Sequence, residues 1–101
     1  MTKLSKESFT IKLGYFCDNK YPMSRSEARR IVKSLNSFEE IILDFEKIEN
    51  IGQAFCHEIF VVFQNANPNM KINYINANDN VKGMILRILN TAKILNKNIE
   101  Q

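Results

Sequence analysis

Five residues near the middle of the chain, Ile41-Ile42-Leu43-Asp44-Phe45, decide the fold class. A run this short and this apolar suits a central parallel strand covered on both faces, where no position has to be polar. Upstream, Phe9-Thr10-Ile11-Lys12-Leu13-Gly14-Tyr15 alternates apolar and polar residues, the period of a half-buried strand. Downstream, Lys71-Ile72-Asn73-Tyr74-Ile75 reads as a third strand, and residues 2–5 as a short hairpin partner of the first. Helix patterns fill the gaps. Ser24 with Glu27 three residues on forms a capping box, and Ala28, Ile31, Val32 and Leu35 follow on one helical face. A second helix from Gln53 to Gln64 places Phe55, Ile59, Val62 and Phe63 on one side, with Phe60 and Cys56 elsewhere around it. That helix is apolar over more than half its surface. A third helix starts at Asn78 or Asp79 and aligns Val81, Met84, Ile85, Ile88, Leu89, Ala92 and Leu95. Gly83 inside it costs about 1 kcal/mol relative to Ala, which points to close packing there. The order β-α-β-α-β-α implies right-handed crossovers: a single α/β domain over residues 1–101, with a mostly parallel or mixed sheet and helices packed against it.

Composition agrees. The chain has 101 residues, 45% apolar and 25% charged, which excludes disordered, collagen-like and disulfide-scaffold classes. No apolar run approaches the roughly 20 residues that span a bilayer, and the first residues carry no apolar signal stretch. Cys17 and Cys56 belong to no CxxC motif, which fits free thiols in a reducing cytoplasm. Charge is uneven beneath a net +3: residues 1–33 hold eight basic and three acidic side chains, whereas residues 38–60 hold one basic and six acidic. In a parallel sheet that acidic middle includes the central strand and the loop after it, where ligands usually meet such sheets. An acidic rim there repels phosphates, and no aromatic platform, helix-turn-helix or RNA-binding signature is present, so nucleic acid is not an expected partner.

Sequence motifs of catalysis are missing: no GxSxG, GxxxxGK[ST], GxGxxG or HExxH. Cys56-His57-Glu58 resembles a ready-made dyad, but consecutive helical residues point about 100° apart and cannot converge on one substrate. Zinc needs three or four ligands, and no other His or Cys lies nearby, so neither a metal nor a catalytic residue is assigned. His57 lies nearly opposite Phe55 on the helical wheel and reads as a surface or interface residue. Ser24-Arg25-Ser26-Glu27-Ala28-Arg29-Arg30 carries more chemistry. Amides at a helix start favour anions, and Ser24, Arg25, Ser26 and Arg29 add donors. Arg25 stands in the first turn, where the helix dipole disfavours a cation, which invites a phosphate or an acidic partner as the explanation. The plainer reading is a solvated basic stripe of Arg25, Arg29 and Lys33.

Taken together, Ser24 to Arg30, Ile42-Leu43-Asp44-Phe45, Ile51-Gly52-Gln53-Ala54-Phe55, Glu58-Ile59-Phe60, and Ile75-Asn76-Ala77-Asn78 followed by Val81 and Met84-Ile85 resemble the bacterial STAS-like domain family of unknown function. The resemblance covers about residues 8–90. It implies a sheet of four or more strands with helices, like that of the anti-sigma-factor antagonists. Those proteins are partner-switching modules whose loop after the central strand meets a histidine-kinase-type ATPase, with a phosphorylated serine at the start of the next helix. Gly52-Gln53-Ala54 stands where that serine stretch would be and offers no hydroxyl. His57 and Val61 depart from an acidic residue and an arginine usual in the family, whereas Gln53, Phe55 and Glu58 match it.

The expected function is a non-enzymatic, cytoplasmic regulatory domain without a cofactor, docking a protein such as a histidine-kinase-type ATPase through Gln53, Phe55, His57, Glu58 and Phe60. A homodimer is a second use of the apolar helix. The alternative is a small-anion or nucleotide sensor at Ser24, Arg25, Ser26 and Arg29.

Overall fold

The computed structural model describes residues 7–16, 21–33 and 35–99. The elements are β1 (Ser8–Lys12), α1 (Leu13–Phe16), α2 (Arg25–Val32), β2 (Glu40–Asp44), α3 (Gln53–His57), a π-helical segment (Glu58–Phe63), α4 (Gln64–Ala66), β3 (Lys71–Ile75) and α5 (Asp79–Ile99). Among the described residues the sheet has three strands in the order β1-β2-β3, all parallel. The wider sheet implied by the family resemblance is therefore not reached within them, and the hairpin strand expected at residues 2–5 lies outside them.

The register sorts the strand residues by face. Phe9, Ile41 and Ile72 form one row, and Ile11, Leu43 and Tyr74 the next row on the same face. Ile11, Ile41 and Leu43 are buried there. On the opposite face Thr10, Ile42 and Asn73 share a row, of which Thr10 and Asn73 are exposed and Ile42 is half-buried. Both crossovers advance in the same direction across the sheet, so their helices lie on the same side. The expectation that β2 is covered on both faces is corrected accordingly: the described fold has two layers, and the outer sheet face is open.

The helical layer explains the apolar second helix. Chain from Gln53 to Ala66 stays helical without a break and packs between α2 on one flank and α5 on the other. Phe55, Cys56, Ile59 and Phe60 are all buried, and Val61 and Phe63 pack partly against the core. Tyr74 of β3 receives Phe45 and Phe60 edge-on, with ring centroids 6.4 and 6.3 Å away. The apolar circumference is consumed mainly inside the domain; Val62 is its exposed exception at 40%.

On α5, Val81, Ile85 and Ile88 face the core as their spacing requires, whereas Leu89, aligned with them in the sequence, is exposed. Gly83 does not behave as expected. A Cβ built there meets nothing within 4 Å, so close packing is not the reason for this glycine.

Candidate functional site at the corner of α2 and α3

The helices α2 and α3 begin beside one another at the end of the sheet where the strands finish. Ser24 is the N-cap of α2: its Oγ accepts a hydrogen bond from the Glu27 amide at 3.1 Å, and Glu27 Oε1 accepts from the Ser24 amide at 3.1 Å. Met23 donates its amide to the same oxygen at 3.0 Å. These bonds from the Ser24 and Met23 backbone hold the Glu27 carboxyl below the usual glutamate range. The capping box read from the sequence is present in both halves.

Gly52 is the N-cap of α3 and has no side chain with which to cap. Its amide donates to the Pro22 carbonyl at 2.8 Å. A Cβ at this position would lie 2.8 Å from both the Cα and the carbonyl oxygen of Met23. Two loops thus meet backbone to backbone, and only glycine permits the approach.

Six residues further on, Glu58 is buried and turned towards α2. Arg29 donates from Nε to Glu58 Oε2 at 3.1 Å, and Arg25 Nε stands 3.5 Å from Oε1. A buried carboxylate without a partner costs several kcal/mol, so these contacts are what let Glu58 remain inside. They also account for a cation in the first turn of α2: the field of Glu58 outweighs the unfavourable end of the helix dipole at Arg25. Of the basic row Arg25, Arg29 and Lys33, two members are therefore anchored to α3's continuation.

The sequence candidates separate by location. Phe55, Glu58 and Phe60 are interior, serving the core and the ion pairs. Gln53 is exposed and His57 half-buried; with Arg25 and Ala54 they line an open depression of about 400 Å³. Ser24 is engaged as a cap, while Ser26 and Arg29 are exposed. The neighbours of His57 point away from it. Cys56 is fully buried, and burial pushes its thiol up to about 12, while Glu58 faces the arginines. No group of three or more His, Cys, Asp and Glu side chains suited to a metal occurs among the described residues.

The acidic middle also divides. Glu39 and Glu40 stand at the start of β2, Asp44 and Glu58 are buried, and only Glu46 and Glu49, flanking Lys47, remain on the loop after β2. A continuous acidic rim at the strand ends is therefore not formed. Asp44 works structurally: Oδ1 accepts from the Glu46 amide at 3.0 Å and from Asn76 Nδ2 at 2.9 Å. Asn76 has φ of 60°, a conformation that Asn tolerates well. Asn78 caps α5 by accepting from the Val81 amide at 2.8 Å, and its Nδ2 reaches the Ile48 and Glu49 carbonyls. The polar ties between this loop and the start of α5 escaped the sequence reading, although the Asn76-Ala77-Asn78 spacing after a strand was its visible signal.

Among the described residues no helix is long and apolar enough to cross a membrane. No curated protein and no solved structure matches the chain. The family model of the STAS-like domain of unknown function matches residues 27–82, from the capping glutamate of α2 to the first turn of α5, and with more than half of the chain so matched the protein belongs to that family.

Proposed function

We propose that this domain is a regulatory docking module that binds a protein partner at the corner of α2 and α3 and catalyses no reaction itself. One observation carries the reading: Arg25, Gln53, Ala54 and His57 surround a shallow open depression, and that depression sits on a backbone joint fixed by Gly52 and Pro22. A rigid, open surface of mixed polarity suits a protein contact better than an enclosed substrate pocket. The partner class suggested by the resemblance to partner-switching modules is a histidine-kinase-type ATPase. Such docking here works by shape and charge, since Gly52-Gln53-Ala54 holds no hydroxyl to phosphorylate.

The test is a pull-down from the native host with the wild-type chain and with Gln53→Trp and His57→Asp, both on the surface of the corner. Glu58 is a poor choice of probe because its charge is internal. A protein retained by wild type and lost by both variants is the expected result. Equal recovery by all three baits sinks this location for docking.

A further inference from the structure

We propose that the corner recognises an acidic segment of its partner, with a carboxylate set on the outer sides of Arg25 and Arg29 and a neighbouring apolar side chain resting on Met23. This rests on the docking reading above and names the chemistry of the occupant.

Glu58 engages each arginine through Nε. A guanidinium carries five N–H donors in a planar fork, so Nε uses only one of them. Among the described residues the terminal amino groups of Arg25 and Arg29 make no hydrogen bond, and the two side chains are 56% and 64% exposed. Two positive charges are thus pinned by one buried negative charge, leaving a net positive surface. Pinning also means that less side-chain freedom remains to be lost on binding.

The surrounding charges favour the same occupant. On α2 and its C-cap the further ionic side chains are Arg30, Glu27 and Lys33, and Glu27 is tied into the capping box. His57 is the other titratable neighbour, on the rim of the depression. Met23, two residues before Arg25 in the chain and joined to the site through its backbone contact with Gly52, is 54% exposed and supplies apolar surface at the entry to α2. A free phosphate has no use for Met23. A depression this open cannot enclose a nucleotide. A carboxylate next to an apolar side chain on a polypeptide uses both features, and charge-assisted pairing to the fork gives it orientation.

The test titrates the isotope-labelled full chain with three probes: a synthetic peptide of alternating Glu and Leu, its Gln-for-Glu counterpart, and inorganic phosphate. The Glu peptide should shift the Arg25 and Arg29 Nε–H signals and the Met23 methyl, and the Gln peptide should not. Arg25→Gln, which keeps the Arg29–Glu58 hydrogen bond and hence the fold, should weaken the Glu peptide about tenfold, as expected for one charge-assisted contact. Met23→Ser should weaken it by a smaller factor. Equal binding of both peptides, binding unaffected by Arg25→Gln, or phosphate shifting the arginines as strongly as the Glu peptide would each overturn the inference. The docking reading fails separately, when Gln53→Trp retains every protein that wild type captures while the Glu peptide still binds.

Discussion

The starts of α2 and α3 touch, yet they are built on opposite principles. The first is fixed by side chains: Ser24 and Glu27 exchange hydrogen bonds and satisfy amides that the helix leaves open. The second is fixed by the lack of one, because Gly52 lets its backbone reach Pro22 and Met23. Side-chain capping is local and modest in energy. A backbone contact between loops 29 residues apart is tertiary, and a single methyl group disrupts it. The corner is therefore strong against loss of a polar group and weak against added volume.

Gly52→Ala breaks the contrast most severely. The methyl cannot swing away from the Met23 backbone, so the loops must part, at a cost of about 1–3 kcal/mol, the range of overpacking. Chemical denaturation measures it, and loss of the Gly52 amide's protection from exchange locates it. Ser24→Ala comes next, at about 1 kcal/mol for a lost N-cap. Its partner Glu27 adds a pH signature. Because the folded carboxyl titrates below its unfolded value, its stabilisation is present above the ordinary glutamate range and disappears as pH falls through the lowered value. Glu27→Gln should flatten that acid limb of the stability profile. The smallest effect has the opposite sign. Gly83→Ala places a methyl in open space within a helix and should stabilise by up to about 1 kcal/mol, read as a raised unfolding midpoint. Two glycines, one methyl each, and opposite outcomes make the comparison sharp.

Much of this was legible in the sequence where the information is local. Period-2 and helical spacing place β1, β3, α2 and α5, although the alternation read through Leu13-Gly14-Tyr15 overruns β1, which ends at Lys12 and gives way to α1. The Ser24/Glu27 pair marks the start of α2 because a capping box spans only three residues. Glu58 was not legible as an internal group. Its hydrogen-bond partner Arg29 is 29 residues away, and a carboxylate beside His57 on a helix looks the same on paper whether it faces water or α2. The apolar second helix misled for a related reason: periodicity reports how much of a helix is apolar, not whether neighbours enclose it. The π-helical turn at Glu58–Phe63 likewise has no local signature here, and Gly83 shows that glycine within a helix does not by itself imply a close neighbour. The candidate site fared between these limits. Gln53, His57 and Arg25 converge, whereas Phe55, Glu58 and Phe60 turned out to support the fold beneath them.

The parallel register carries a kinetic consequence. Ser8 pairs with Glu40, and Glu40 with Lys71, so every rung of the described sheet closes a loop of about thirty residues, and among the described residues no strand pairs through a tight turn. Loop-closure entropy of that kind is spent before the contacts that reward it exist, which slows folding for a chain of this size. During synthesis the Ile41-Ile42-Leu43 segment emerges well before β3 and α5, which complete its sheet and helical cover. A nascent or refolding chain therefore shows its most aggregation-prone strand early, and α2, whose capping box and helical backbone bonds close within a few residues, is the element available to shelter it first.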